Sequence, residues 1–526
     1  MHVRNLSLAI ALGLGTVSAP LLIQPAAAAI SMEQEELANT VESRFNNIIN
    51  LNSEWFNLVV GASPMVKRMS YEVTGYERGE AGATATTALN IDLNRVAFKG
   101  QDVPKTITLN FDNNIAYNDE LLGQDVIANI KTTLVTDEGL QQMADIDDED
   151  LNKLQDALEN VDINSQLLPE GKYTNHVEVK PFNVEEDGKK VDFQGLTVEN
   201  SGNEADIASA AGSMHLDMKK LTVVNEYEAA DGSDPQTETL TLDPFTSDLT
   251  LTKDGDLSFE SSTLTLTDEY NDMVVNIDSI TGEGSEVFFD KAISAFTGKQ
   301  HYQAENLSIK NLAGDIALIA NSAEVSHDIY KKDELYNTES GLVFDLDAES
   351  FAKLMQLPNL KVDTVSFSAD TQRISADAYR AMNRFSVLAA ENNDAAVDTM
   401  LQTVLTDLAH TEGAVQVNVN VDTDQGSATF AGDVKVKKDA VTDVQAWKDA
   451  FAEAGPGVFI SLLEKSIDFD LKGEVPQDII NAVGLGEMMG MATGYVVKEG
   501  DTYSIHLESK GDGIKLNGNA IPMPQM

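Results

Sequence analysis

Between Asn175 and about Asp345 the chain alternates apolar and polar residues in one short run after another: "HVEVKPFNV", "KKVDFQGLTVEN", "HLDMKKLTVVNEY", "TETLTLDPF", "DLTLTKDGDLSFESSTLTLTDEY" and "DMVVNIDSI". A period of two puts successive side chains on opposite faces, so each run predicts a strand with one apolar and one wet side. Gly, Asp and Asn punctuate the runs every 8 to 12 residues or so, with no long helix between them. That spacing predicts antiparallel meanders rather than a parallel sheet.

Helical periodicity gathers toward the two ends. Residues 33–56 place Leu37, Val41, Phe45 and Ile48 on one stripe, and from about Met69 the period changes to two in "TALNIDLNRVAF" and "KTITLNFD". One acidic helix interrupts the strands, where Leu140, Met143, Leu151, Leu154 and Leu158 line a stripe near Asp145 to Asp150. After residue 346 helices return: Ala376 to His410, with Val397, Met400, Leu401, Val404, Leu405 and Leu408 at helical spacing, then Val444 to Phe451 and Pro476 to Met491. Between them "AVQVNVNVDTDQGSATFAGDVKV" sets Val415, Val417, Val419 and Val421 on one strand face. The expected fold class is α+β, an elongated, curved and mainly antiparallel β-sheet meander with helices at both ends. The expected division is 1–29 signal peptide, 30–68 N-terminal helical segment, 69–345 β-rich domain with one acidic helix, and 346–526 C-terminal α+β region.

The signal peptide is read from Arg4 without a nearby acid, the apolar stretch Leu6 to Ile23, and the small residues Ala26 to Ala29, with cleavage after Ala28 or Ala29. An uncleaved anchor is the alternative, since about 18 to 20 apolar residues span a bilayer. Past it no uncharged run is long enough: Val483 to Val497 is short and holds Glu487, so no transmembrane segment is expected in the mature chain. The chain has no cysteine, which removes disulfides, thiolate metal sites and cysteine nucleophiles together. An exported chain without staples must rest on its hydrophobic core. The formal net charge is −50, spread along the whole sequence, and such a surface repels nucleic acid.

No motif carries chemistry. The histidines never pair at metal spacing, and His176 and His506 fall on the polar phase of predicted strands. "DIDDED", Asp145 to Asp150, fails as a calcium loop because the required glycine and glutamate are Asp150 and Asp156. "DTDQG", Asp422 to Gly426, reads as a hairpin turn. "GEGSE", Gly282 to Glu286, has the wrong spacing for a nucleophile elbow. "GLGEMMGMATG", Gly484 to Gly494, lacks the Lys-Ser/Thr of a phosphate loop; its Met488, Met489 and Met491 alternatively offer an adaptable apolar surface.

Two stretches carry a resemblance. "GYERGEAGATATTAL", Gly75 to Leu89, and "YSIHLESKGDGIKLNGNAI", Tyr503 to Ile521, with "KKVDFQGLTVEN" and "VPQDIINAVGLGEMMGMATGYV" in order between them, resemble the YdgA-like family of Gram-negative envelope proteins, a family of unknown function. The matching positions are Tyr76, Arg78, Gly79, Gly513, Asn517 and Gly518; their own chemistry is that of turns. The resemblance implies an exported or inner-membrane-anchored periplasmic protein able to self-associate, with no assigned catalytic residue and no cofactor. It departs where the family carries His-Gly-Pro, since this chain reads "IAYNDELLG". The expected function is that of a non-enzymatic envelope protein in the periplasm of a Gram-negative bacterium. It binds or scaffolds, holding a lipid or an envelope protein on an amphipathic sheet. The alternatives are a periplasmic hydrolase using Asp/Glu or Ser, and a self-assembling structural protein.

Overall fold

The computed structural model describes residues 33–60, 66–79, 81–93, 105–135, 160–186, 189–203, 211–227, 236–269, 271–293, 295–313, 316–357, 359–383, 394–452, 456–486, 495–510 and 513–521. The signal peptide, the acidic helix with Asp145 to Asp150, and Met488 to Met491 lie outside them. The chain divides into two compact units. The first holds the described residues up to Val274 and Ser279–Phe296; the second holds Val275–Asp278 and the described residues from Thr297 on. Strand predominates in a mainly antiparallel arrangement, as the alternation requires. No helix of the described residues is long and apolar enough to cross a membrane.

The first unit begins with α1 (Gln34–Val60), whose first turn carries Glu35 and Glu36, acids that complement the positive end of the helix. Strands β1 (Val66–Arg78), β2 (Gly82–Leu93), β3 (Thr106–Ala116), the short helix α2 (Asp119–Leu122), β4 (Ala128–Val135), β5 (Val161–Leu167) and β6 (Lys172–Val179) follow. Then come β7 (Phe182–Glu186), β8 (Lys189–Phe193), β9 (Leu196–Asn203), β10 (Gly212–Met218), β11 (Leu221–Tyr227), β12 (Gln236–Leu242), β13 (Phe245–Leu251), β14 (Leu257–Ser261), β15 (Leu264–Asp268), β16 (Met273–Ile277), which passes into the second unit at Val275, and β17 (Ser279–Asp290). One antiparallel sheet runs β1-β2-β3-β4-β5-β6-β9-β10-β13-β14-β17. Helix α1 covers its apolar face over the first six strands. Leu37, Val41, Phe45 and Ile49 are buried against Ala83, Ala85, Ile115, Ile130 and Leu167. Ile48 is only half-buried; Ile49 takes the core position. Buried Arg44 of α1 donates to the carbonyls of Leu168 (2.5 Å) and Lys172 (2.7 Å), locking the tight turn Pro169–Gly171 beneath the helix.

A second limb, β7-β8-β11-β12-β15, is joined to the first sheet through four strands broken at corresponding points. The breaks are Gln194-Gly195, Lys219-Lys220, Asp243-Pro244 and Ser262-Thr263. Pairing continues across them: Phe193 opposes Leu221 on one side while Leu196 opposes Met218 on the other. The chain is tied through the breaks by backbone hydrogen bonds such as Gln194 N–H to Lys220 O and Lys219 N–H to Gly195 O, both 2.9 Å. Positions on the apolar side shift by three instead of two at each break: Phe193 to Leu196, Met218 to Leu221, Leu242 to Phe245, and the buried Ser261 to Leu264. Two residues spent turning a corner keep the apolar side chains of both limbs on one side, where strict alternation would have sent them to opposite faces. Gly195 sits at φ +117°, and a Cβ there would approach Val179 O to 3.2 Å, so a larger residue would open the corner.

The second unit is built on β18 (Ala295–Lys310), β19 (Ile316–Lys332), β20 (Leu335–Leu346), β21 (Val362–Ile374), β22 (Ala414–Thr423), β23 (Gly426–Val436), β24 (Ile467–Pro476) and β26 (Thr502–Ser509), paired in that order. Short strands β25 (Val497–Glu499), β27 (Ile514–Leu516) and β28 (Asn519–Ala520) finish the edge beyond β26. Between them lie α3 (Ala348–Leu354), α4 (Ala376–Asn383), α5 (Asp394–Thr411), α6 (Val444–Ala452), α7 (Pro456–Ser466) and α8 (Gln477–Ala482). The stretch read as one helix from Ala376 to His410 is described as α4 and α5, with residues 384–393 outside the described set. Helix α3, whose Asp347 caps it by accepting from Ser350 N–H at 2.7 Å, was not legible as a helical period because it is only two turns long. Helix α7 was missed as well.

Candidate functional site

The first unit's apolar side is covered by α1 over β1 to β6; beyond β6 its burial is uneven, and Phe193, Leu251 and Val287 are buried outside the helix-covered cluster. Val177 and Val198 are buried, whereas Met214 and Leu216, next in the row, are half-buried. The cluster around Ile163, Val177 and Val198 draws Val161, Leu196, Met214 and Leu216 from its own limb. On the other limb, Phe193, Leu221, Leu242 and Leu266 form one row and Val191, Val223 and Leu240 the next, with Leu240 exposed.

The second unit repeats the condition on its own sheet. Val325, Leu342, Phe367, Val419, Phe430, Gly473 and Ile505 stand directly opposite one another across seven strands, β19 to β26. At one end of this face α3 and α8 close over Phe344, Val365, Val421, Ala428 and Val475 with Ile479. At the other end Tyr336 and Ile374 are buried, and the Tyr336 ring meets Tyr379 of α4 at 6.2 Å. The row between stays open: Val325 is 45%, Phe367 42%, Phe430 41% and Ile505 42% exposed. A Cβ on Gly473 would come within 3.2 Å of Ile505 Cγ2, so glycine lets Phe430 and Ile505 border a shallow notch. Scattered exposed apolar residues need no explanation, but a contiguous row does.

A cavity of about 60 Å³ lies under α1 against Phe45, Ile49, Tyr71, Phe111, Asn113 and Thr132, room for a few waters at roughly 10 to 15 Å³ each and none for an acyl chain. A buried polar ladder floors it: Tyr71 Oη to Thr87 Oγ1 at 3.0 Å, Asn113 Nδ2 donating to Thr87 Oγ1 at 3.1 Å, and Thr132 Oγ1 donating to Asn113 Oδ1 at 2.7 Å. Burial pushes the Tyr71 hydroxyl up to about 12, with Thr87 pulling the other way. An acid whose folded pKa lies above its unfolded value gives stability that is complete below about pH 10 and lost as pH rises toward 12. Tyr71→Phe is therefore expected to flatten the alkaline limb. The loss of stability in urea between about pH 9 and 11.5 shrinks by roughly 2 kcal/mol relative to the native chain.

Among the described residues the histidines meet acids or a serine in pairs, and one cluster, Asp470 with His506 and Glu508, brings three ionisable groups together. His176 pairs with Glu199 (3.2 Å) and His215 with Asp248 (2.8 Å), all exposed. His327 Nδ1 lies 2.7 Å from Ser340 Oγ, and burial lowers its pKa, so it stays neutral. Ser340 is in mid-strand between paired neighbours, where the backbone N–H groups are committed to the ladder and leave no oxyanion donors. His506, expected to face solvent, is half-buried and meets Asp470 Oδ1 at 2.9 Å. Asp470, His506 and Glu508 offer ligand atoms within 4.8 Å of one another. However, Lys510 Nζ stands 2.7 Å from Asp470 and 3.5 Å from Glu508, and Lys472 is 3.3 Å from Asp470. Ammonium groups already occupy the place of a cation; Lys510, with His506 and Lys472, holds the Asp470 carboxyl down at about 2.

The family-pattern residues serve turns and helix seating. Arg78 donates Nε to Glu42 Oε2 of α1 at 2.6 Å, and the Tyr76 ring meets Phe45 at 6.2 Å. Gly79 is not at positive φ; its constraint is space, a Cβ reaching 3.2 Å from Gly82 O. Gly513, Asn517 and Gly518 have φ of 101°, 51° and 75°. Asn517 Oδ1 accepts from His506 N–H at 2.7 Å and its Nδ2 donates to Tyr495 O at 2.9 Å, pinning the closing hairpin. Tyr76, Arg78 and Gly79 lie in the first unit and the other three in the second.

No curated protein and no solved structure matches this chain. A family model described as "Bacterial protein of unknown function (DUF945)" matches residues 38–524, across both units. The chain belongs to that bacterial family of unknown function.

Proposed function

We propose that this chain is an exported, non-enzymatic envelope protein that holds the acyl part of a lipid against its open sheet faces. The observation that carries the reading is the uncovered row Val325, Phe367, Phe430 and Ile505, set between two helix-covered ends of the same face. Export rests on the composition of the first thirty residues, and the narrower YdgA-like resemblance adds a Gram-negative periplasm.

The backbone of these strands is paired within the sheet, so the floor offers neither donors nor acceptors. An extended peptide lying on it would leave its own N–H and C=O groups unpaired, at roughly 1 to 3 kcal/mol each where water is displaced. An acyl chain has nothing to satisfy. Each fully buried CH₂ contributes about 0.8 kcal/mol, so a fourteen-carbon chain covered on one side gains about 5 to 6 kcal/mol. That magnitude suits loading and release rather than permanent retention. The reading is tested by a fatty acyl chain carrying a photoreactive diazirine: covalent label is expected on the open rows and not on the polar faces behind them.

A further inference from the structure

We infer that the lipid lies across the strands of the second unit in one direction, its oxygen-bearing head received by His327 and Ser340 at the β18 to β20 end and its tail toward β26; the inference rests on the lipid-holding reading above. Register sets His327 on the face of Val325 and Ser340 on the face of Leu342, one step along the strands from the open row. His327 Nδ1 lies 2.7 Å from Ser340 Oγ, and both residues are half-buried. On β18, Gln300 stands opposite His327 and Tyr302 opposite Val325, and Tyr302 Oη donates to Gln300 Oε1 at 3.1 Å. Toward β26 the row that begins Gln300, His327 and Ser340 continues as Ala369, Val417, Gly432, Leu471 and Leu507. Its polar side chains are therefore gathered at one end.

The free face of that end can bond an oxygen in either state of the ring. Burial lowers the His327 pKa, with Asp328 pulling the other way, so the ring is neutral and holds one donor and one acceptor nitrogen. Its Nε2 has no hydrogen-bond partner among the described residues. If the Ser340 hydroxyl donates to Nδ1, Nε2–H is left to donate outward; if Nδ1–H donates to Ser340, Nε2 accepts and the hydroxyl donates. An alcohol or ester oxygen finds a partner both ways.

From Val325 on β19 to Ile505 on β26 the floor crosses six inter-strand steps of about 4.8 Å, about 29 Å in all. Two leaflets of acyl chains fill roughly that thickness in a bilayer, so a single chain lies within the floor from either end. The head decides which. An oxygen set down on Val419, Phe430 or Ile505 gives up water without a partner, whereas at His327 it gains one. On the other side of the open row the β26 end carries Tyr503, with Lys498 5.5 Å over its ring, and Lys498 Nζ donates to Gln477 Oε1 of α8 at 2.5 Å. That cation is engaged at the helix-covered margin, and the reverse direction is the competing outcome.

The test uses the full chain and two long-chain fatty alcohols, one with a diazirine beside the hydroxyl and one with it beside the methyl end; an uncharged head removes any pull from Lys498. The head-side probe is expected to label β19 and β20 around Val325 and Leu342, and the tail-side probe β23 and beyond around Phe430. The ratio of the two regions should differ between probes by about fivefold or more, the effect of one net hydrogen bond of ordinary strength. His327→Leu with Ser340→Ala replaces both partners by apolar groups, a change that is close to neutral for folding, and is expected to bring the two label patterns together while total label persists. Identical patterns from both probes on the native chain, a reversed pattern, or a difference that the double variant leaves unmoved overturns the head assignment while leaving lipid holding intact. Label from neither probe on the open row overturns both.

Discussion

Serine at both Phe367 and Phe430 is expected to reduce retention of acyl lipid by tenfold or more, while the thermal midpoint moves by no more than a few degrees. The two rings stand on β21 and β23, with Val419 of the intervening β22 between them, and are each about two-fifths exposed. Their outer halves contact water in the free protein, so truncation leaves no sealed cavity and costs far less than the 3 to 5 kcal/mol typical of a buried phenylalanine. The guest loses more, because the two rings supply much of the apolar area of the row; at about 25 cal/mol per Å², some 80 to 100 Å² of lost contact amounts to about 2 to 2.5 kcal/mol. Ala431→Ser on the reverse face is the control and is expected to change retention by less than about twofold. Unchanged retention in the double variant would place the guest elsewhere.

Phe45→Ala has the opposite signature. Phe45 is 3% exposed, packs beside Leu37, Val41 and Ile49 under α1, and borders the small cavity that the truncation would enlarge. The expected loss is about 3 to 5 kcal/mol, from transfer and cavity together. With two compact units present, a single midpoint is not assumed; urea unfolding followed by proteolysis should show the first unit opening earlier and the second unmoved. Ile48→Ala, at a half-buried position on the same helix, is expected to cost less than half as much. An equal cost at both positions would mean that α1 seats differently.

Much of this architecture is legible in the residues. Val415 to Val421 alternate cleanly and form one face of β22, and the stripe from Leu37 to Phe45 is the buried side of α1. Asp422 to Gly426 makes the β22 to β23 turn, with Gly426 at φ +112°. The rest depends on pairing between distant strands. The open row takes one or two residues from each of seven strands, and nothing within any strand marks Phe367 as exposed and Val365 as covered; that difference is made by where α3 and α8 land. The bends escape a reading based on strict alternation, because a two-residue corner appears in the sequence only as a lost phase. Four lost phases, at Gln194-Gly195, Lys219-Lys220, Asp243-Pro244 and Ser262-Thr263, fall at mutually paired points, and that coincidence was the available signal. His506 was misjudged because its polar phase faces Asp470 on the adjacent strand, and a cross-strand partner is invisible to local periodicity.

The most direct test of the central claim is where a photoreactive acyl chain attaches. The full chain is irradiated with diazirine-bearing fatty acid and the modified peptides are mapped by mass spectrometry. The account predicts label on β19, β21, β23 and β26 at and beside Val325, Phe367, Phe430 and Ile505, and on the bent strands around Met214 and Leu240. Label concentrated instead on the reverse-face positions Asp328, Glu339 and Asp433, or spread evenly over both faces, would contradict it.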